Sequence, residues 1–324
     1  MNQILNNVET AQHQALLFLL KFLKQKNYHF TAITPLSHQR ILDRNKNIKD
    51  KDITLRDIFG WNLAFSQTDL DRTLFTILKE NQLIHFQEGY WFTNIRVASL
   101  EDQLFIHSSF PTIQQDAVFF GPDTYRFVYH LKQYLSHKPQ PFKRGLELCC
   151  GTSAAAITMA KHYPEFNEMI VADLNPKALS YSQINAKFAG LNNIYPIYSN
   201  LFANIEGQFD LIFANPPYLI DADQRQYRHG GNVLDGNELS FNILKEGLTR
   251  INPQGCLFLY TGVAIRSKGN PFLEELKKLL TPSSNIKWSY EEIDSDVFGE
   301  ELEQPAYQHI ERIALALVKV EVMG

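Results

Sequence analysis

The sequence is short of several features that would fix a class at once. No hydrophobic run approaches the roughly 18 residues that a membrane-spanning helix needs. The longest early run, Ala15 to Leu20, has no basic segment before it and no small-residue cleavage site after it. No membrane span and no signal peptide are therefore expected. Cysteine is scarce: Cys149, Cys150 and Cys256 are the only three, two of them adjacent, and no C-x-x-C pair occurs. That is a poor disulfide framework and a poor zinc site, so the expectation is a reduced, cytoplasmic protein without a bound metal. A basic excess is also lacking. The formal net charge is −4, which argues against a long duplex as partner, because phosphate binding needs clustered cations. The G-x-G-x-x-G fingerprint of dinucleotide enzymes is missing as well.

What is present divides into two textures. At 324 residues with 44% apolar content, the chain can bury more than one core. Residues 1–110 read as helices followed by a hairpin. Ala11–Leu23 has leucines at helical spacing, Arg40–Asp52 reads as a polar loop, and Leu70–Leu78 is a second helix capped by Thr68 or Asp69. Leu83–Phe86 and Tyr90–Phe92 flank the turn Glu88-Gly89. Helices followed by a β-ribbon suggest a winged-helix-like recognition module. Its 12 Lys/Arg against 11 Asp/Glu, a balance of +1, favour substrate recognition or packing over DNA binding.

From residue 111 to 324 short apolar runs alternate with helical patterns. Strands are expected at Gly145–Cys149, Met169–Asp173, Ile194–Ser199, Asp210–Ala214, Cys256–Thr261, Ile286–Ile293 and Ile313–Val320. Helices are expected at Thr152–His162, Lys177–Ala189, Leu239–Ile251 and Pro271–Leu280. This alternation predicts right-handed βαβ units in an α/β, Rossmann-like, seven-stranded sheet with a smaller N-terminal domain. The last two strands have no crossover helix between them and should pair antiparallel.

Open α/β sheets bind ligands at the carboxyl ends of their strands. The first strand is followed by Glu147, Cys149, Gly151, Thr152 and Ser153, where Gly151 permits close backbone approach and the next helix offers free N–H groups. Asp173 follows the second strand, beside Leu174, and is placed to accept both hydroxyls of a ribose. It can equally cap the next helix through Asn175-Pro176. Asn200 follows the third strand and can accept from an adenine amino group, with Leu201 covering the ring.

The fourth strand ends in Asn215-Pro216-Pro217-Tyr218. Two prolines cannot continue a sheet, so the segment is at least a rigid strand terminator. That does not account for the flanking residues. The Asn215 side-chain oxygen and the Pro216 carbonyl can each accept one N–H of an NH₂ group. Pro217 stiffens that carbonyl, and Tyr218 offers a flat face to a planar amide or base.

The segment from Gln208 to Tyr218, with Asn200-Leu201-Phe202 upstream, resembles the release-factor glutamine N5-methyltransferase group of the small-domain methyltransferase superfamily. The likeness covers roughly residues 118–320. Gly121-Pro122-Asp123-Thr124 stands where that family has a Pro-x-Pro-Glu-Thr segment close to its cofactor. Gly230-Gly231 and Asp235-Gly236 resemble its Gly-Gly-x-Asp-Gly loop. The resemblance implies S-adenosylmethionine as cofactor, held by Pro122, the turn from Glu147 to Ser153, Asp173, Leu174, Asn200, Leu201 and Asn215. It also implies a planar nitrogen as methyl acceptor, with Asn215, Pro216, Pro217 and Tyr218 as the catalytic segment.

Two departures stand out. Glu147, Cys149 and Ser153 replace the Asp and two of the glycines in the family's Asp-x-Gly-x-Gly-x-Gly turn, and the added Cβ atoms of Cys149 and Ser153 are expected to crowd the methionine tail. The N-terminal region is unlike that family's helical bundle, so a release factor is not implied. The acceptor stays open among protein glutamine, a nucleobase and a small amide, as does the oligomeric state. An adenine-N6 nucleic-acid methyltransferase and a non-catalytic module with a decayed turn are the alternative readings.

Overall fold

The structure, a computed structural model, describes residues 10–45, 52–138 and 141–323. The N-terminal region opens with α1 (Ala11–Gln25), capped by the Thr10 side chain, which accepts from the His13 N–H. Two helices follow that the apolar periodicity did not announce, α2 (Pro35–Asn45) and α3 (Leu55–Phe59). Residues 40–45 are thus helical rather than loop, and residues 46–51 lie outside the described residues. Helix α4 spans Arg72–Glu80. Its cap is Asp71, not Thr68 or Asp69: the Asp71 carboxylate accepts from the N–H groups of Thr73 and Leu74, while Gln67–Asp69 is a separate 3-10 turn.

The expected hairpin is present as β1 (Ile84–Gln87) and β2 (Tyr90–Thr93), paired antiparallel across Glu88-Gly89. A second antiparallel hairpin follows, β3 (Ile95–Leu100) with β4 (Gln103–Ser108). All its residues are buried, so it lacks the period-2 alternation by which a half-exposed strand is recognised.

The remainder runs α5 (Pro122–Ser136), β5 (Arg144–Leu148), α6 (Ala154–His162), β6 (Glu168–Asp173), α7 (Pro176–Phe188), β7 (Ile194–Tyr198), β8 (Phe209–Ala214), α8 (Glu238–Gly247), β9 (Ile251–Arg266), α9 (Pro271–Leu280), β10 (Ile286–Asp294) and β11 (Ile310–Val322). The strands form one seven-stranded sheet in the order β10-β11-β9-β8-β5-β6-β7. Strands β5 to β9 are mutually parallel, and β11 pairs antiparallel with both β9 and β10. Helix α8 stops at Gly247 rather than Ile251, because β9 begins at Ile251 and extends well past the expected Cys256–Thr261.

Successive side chains of the central strands point to opposite faces. Leu211, Phe213, Phe258 and Tyr260 enter one core with α5 and α6, while Ile212, Ala214, Leu257 and Leu259 enter another with α8 and α9. Helix α7 is buried on two sides. Leu179 and Ala186 face the sheet core, and Ala178, Tyr181 and Ile184 pack with α1, α4 and the N-terminal hairpins. The boundary expected near residue 110 is thus bridged by two continuous apolar clusters. Among the described residues, no helix is long and apolar enough to cross a membrane.

Candidate active site

The strand order reverses between β5 and β8: β6 and β7 lie on one side of β5, β8 and β9 on the other. At such a switch point the loops after adjacent strands diverge and leave a crevice. Here the loop after β5 carries the turn Cys149–Ser153, and the loop after β8 carries the Asn215–Tyr218 tetrapeptide. Both border one cavity of about 660 Å³, within the usual range for a small-molecule or cofactor site.

The cavity gathers most of the sequence-predicted residues. Glu147, Cys149, Gly151, Thr152, Asp173, Leu174, Asn200, Leu201, Asn215, Pro216, Pro217 and Tyr218 all line it. Two do not. Pro122 is the first residue of α5, and it is the next two, Asp123 and Thr124, that reach the cavity. Ser153 is fully buried behind the turn, where its hydroxyl donates to Ser182 Oγ at 2.7 Å. The expected crowding of a ligand by its side chain is therefore corrected: the Cβ points into the protein.

The turn keeps a glycine-type conformation without the glycines. Cys149, Gly151 and Ser153, at alternate positions, have φ of +53°, +52° and +54°. For residues with a Cβ this left-handed region costs roughly 1–2 kcal/mol each, so two of the three positions carry strain. Hydrogen bonds offset it. Ser153 N–H donates to Cys150 O at 2.7 Å, Gly151 N–H donates to Asp173 Oδ2 at 2.9 Å, and Asn185 Nδ2 on α7 donates to Thr152 O at 3.2 Å.

Asp173 is held on both oxygens. Oδ2 takes the Gly151 N–H and Oδ1 the Asn175 N–H, each at 2.9 Å. A carboxylate oxygen has two lone pairs, so each retains one for a ligand hydroxyl. Burial raises the carboxyl above its ordinary value, opposed by the N–H donors of Gly151, Asn175 and Leu174. The capping role belongs to Asn175, whose side chain accepts from Lys177 N–H at the start of α7. Asp173 is thereby left facing the cavity. Glu147 is 4% exposed, and its Oε2 accepts from the Ala156 N–H in the first turn of α6. Burial pushes its carboxyl well above the usual range.

Asn215 and Pro217 are half-buried and Pro216 is buried. Tyr218 differs from the expected open platform. It is only 8% exposed, its hydroxyl donates to Asp123 Oδ2 at 2.7 Å, and its ring stands edge-on to Phe298 with centroids 5.9 Å apart. Gly262 of β9 lies against the ring so closely that any Cβ there would overlap it. Tyr260 also donates to Asp123, at 2.9 Å to Oδ1.

Several lining residues carried no local sequence signal. Pro35 and the stretch Phe110–Ile113 supply a wall from the N-terminal region. Phe119 and Tyr227 add two near-parallel rings, 6.4 Å between centroids and 10° between planes. The Tyr227 hydroxyl donates to Thr112 O, fastening the loop after the tetrapeptide to that wall. The lining arginines, Arg225 and Arg228, are both committed: Arg225 to Asp221, and Arg228 to Glu301. The Gly-Gly…Asp-Gly loop is pinned by Arg266, which donates to both oxygens of Asp235 at 2.7 Å, and by His309 at 3.2 Å.

The chain is similar to known proteins over part of its length. The methyltransferase small domain family matches residues 127–258. The ribosomal protein uL3 glutamine methyltransferase of Neisseria gonorrhoeae (strain ATCC 700825 / FA 1090) is 35% identical over 128 residues, 36% of this chain and 42% of that protein. The release factor glutamine methyltransferase of Escherichia coli (strain K12) is 37% identical over 103 residues, 32% of this chain and 36% of that one. The chain thus spans less than half the length of these relatives. Among solved structures, Trm5b from Pyrococcus abyssi aligns over 74% of this chain and 62% of its own, with TM-score 0.48 and 15% identity. Residues 127–258 of this chain are thus similar to the methyltransferase small domain, and they supply the parallel strands of the seven-stranded sheet.

Proposed function

We propose that the chain transfers a methyl group from S-adenosylmethionine to a planar nitrogen, with a glutamine-type side-chain amide as the favoured acceptor. The observation that carries this is the meeting of the tetrapeptide Asn215–Tyr218 with Asp173 and the Gly151 turn in one cavity. The residues fit the cofactor. Asp173 keeps a free lone pair on each oxygen for the ribose hydroxyls, and Asn200 and Leu201, which line the same cavity, would hold the adenine. The turn and the first residues of α6, Ala154 and Ala155, line the cavity and would hold the methionine end.

Bound S-adenosylmethionine would supply an electrophilic methyl on a sulfonium. An amide nitrogen is a poor nucleophile because its lone pair is delocalised. The chain's contribution is to position it: Asn215 and the Pro216 carbonyl accept its two N–H groups and turn the lone pair toward the methyl. Such positioning is worth on the order of 7–11 kcal/mol when the geometry is near attack. Tyr218, latched to Asp123, fixes the end of the tetrapeptide.

Two observations favour an amide over a nucleic acid. Both lining arginines are neutralised by carboxylates, whereas phosphate binding draws on free cations. The relatives at 35% and 37% identity are glutamine methyltransferases. Residues 1–110 serve on this reading as a recognition module, contributing Pro35 and Phe110 to the cavity wall.

The test is a tritiated-methyl transfer assay from S-adenosylmethionine into cell lysate, separated into protein, RNA and small-molecule fractions. Label recovered as methylglutamine in protein is the expected result. Label confined to nucleic acid would overturn the amide reading. The absence of any heat of S-adenosylmethionine binding by calorimetry would overturn the enzyme reading.

A further inference from the structure

We infer that Ser182, on α7 and outside the cavity, is a positioning residue that braces the cofactor turn in place of the glycines it lacks. The inference rests on the proposed S-adenosylmethionine reading of the cavity. Ser182 is fully buried, and its hydroxyl lies in a chain of two hydrogen bonds. It accepts from Ser153 Oγ at 2.7 Å and donates to Gly151 O at 3.0 Å. Cys150 Sγ lies 3.7 Å from Ser182 Oγ. A single side chain thus contacts three of the five residues of the turn.

The brace answers the strain described above. Ser153 holds φ +54° and ψ +32° at the N-cap of α6, yet its side chain makes no capping bond to that helix. A left-handed serine would ordinarily relax toward negative φ. Here its hydroxyl is tied to Ser182, and any such rotation would break a fully buried hydrogen bond. The second bond fixes the Gly151 carbonyl toward α7. Because the peptide unit is planar and trans, the Thr152 N–H is then directed away from α7. One turn further along the helix, Asn185 holds the Thr152 carbonyl in the same way and also accepts from the Ile106 N–H of β4. A glycine at 153 would adopt this conformation without strain and would need no such brace.

The experiment uses the full chain as Ser182→Ala and as Ser153→Gly/Ser182→Ala. S-adenosylmethionine affinity is read by calorimetry, and hydrogen exchange of amides 149–156 is read in the ligand-free protein. Ser182→Ala is expected to weaken cofactor binding at least tenfold and to speed exchange in the turn. The double variant is expected to recover most of both, because glycine removes the strain together with the stranded hydroxyl. A purely structural serine would not be rescued by a change at residue 153. Binding within twofold of wild type in Ser182→Ala, with unchanged exchange, overturns the inference. So does a double variant no better than the single one. If the wild-type chain does not bind S-adenosylmethionine, the cofactor reading fails and the exchange arm alone decides the brace. Should Ser182→Ala not fold, Ser182→Cys, a weaker donor of similar size, is judged by the same two criteria.

Discussion

The Tyr218 hydroxyl donates a 2.7 Å hydrogen bond to Asp123 Oδ2, joining the last residue of the tetrapeptide to the first turn of α5. Asp123 also accepts from Tyr260 at 2.9 Å and from Arg126 at 3.3 Å, so a buried carboxylate is satisfied from strand β9, from the loop after β8 and from its own helix. Burial, and then the Asp123 charge, push the Tyr218 phenol well above its ordinary pKa, so it remains a donor. From sequence alone, Tyr218→Phe would be mild, since the flat ring is kept. With this latch in view it is not. Removing one donor from a buried charged acceptor costs about 1–3 kcal/mol. Tyr218→Phe should therefore lower the melting temperature and the methyl-transfer rate together. A variant with wild-type values of both would show that the latch is idle.

On the proposed reading, Asn215→Ala removes one of the two acceptors that orient the nitrogen. It should lower kcat by two or more orders of magnitude, comparable to deleting one preorganised transition-state hydrogen bond. Cofactor affinity should persist, because Asp173 and Asn200 lie at other strand ends. Single-turnover rate, cofactor affinity and melting temperature on the same protein separate this from a strand terminator, which would lose stability without a selective loss of rate.

Asp173→Ala should weaken S-adenosylmethionine binding by more than tenfold, since a hydrogen bond to a charged group is worth about 1.5–3 kcal/mol and two hydroxyls are at stake. Part of that loss would come from the turn, because the Gly151 N–H also loses its acceptor. Titration calorimetry reads it directly, and unchanged affinity would remove Asp173 from the site.

Glu147 gives a pH signature. Its folded-state pKa is raised by burial, with the Asp173 charge adding to the effect. Its contribution to stability is therefore fully present below the ordinary carboxylate value and is lost as the pH rises through the raised one. Glu147→Gln cannot ionise. In the ligand-free chain it should match wild type near pH 4 and become relatively more stable as the pH rises toward 8. Thermal melts across that range check the sign; a stability gap that narrows with rising pH would contradict it.

Much of the C-terminal half was legible because its signals are local. Parallel strands buried on both faces read as short apolar runs, and helices α7 and α9 carry their own asparagine caps and first-turn prolines. Helix α9 begins at Pro271 and ends at Leu280, as its periodicity predicts. The positions after each strand followed from the topology, so Gly151, Asp173, Asn200 and Asn215 could be named and do line one cavity. Hairpin β3–β4 and helices α2, α3 and α5 were not legible. The hairpin is buried on every residue, so no alternation marks it, and α3 is too short to show a period.

By itself, then, the amino-acid sequence determined the order of strands and helices from β5 onward, the rigid Asn-Pro-Pro-Tyr turn, and the set of polar residues standing at strand ends. Each of these depends on neighbours a few residues away. Which side chains meet across the fold was decided only by tertiary structure. Asp123 and Tyr218 lie 95 positions apart and Ser153 and Ser182 lie 29 apart, and nothing near either member of a pair records the other. Closure of α5 over β8 and β9 turns an expected stacking platform into a latched phenol. Packing of α7 against the turn sends the Ser153 side chain inward, where it braces the turn and leaves the cavity clear.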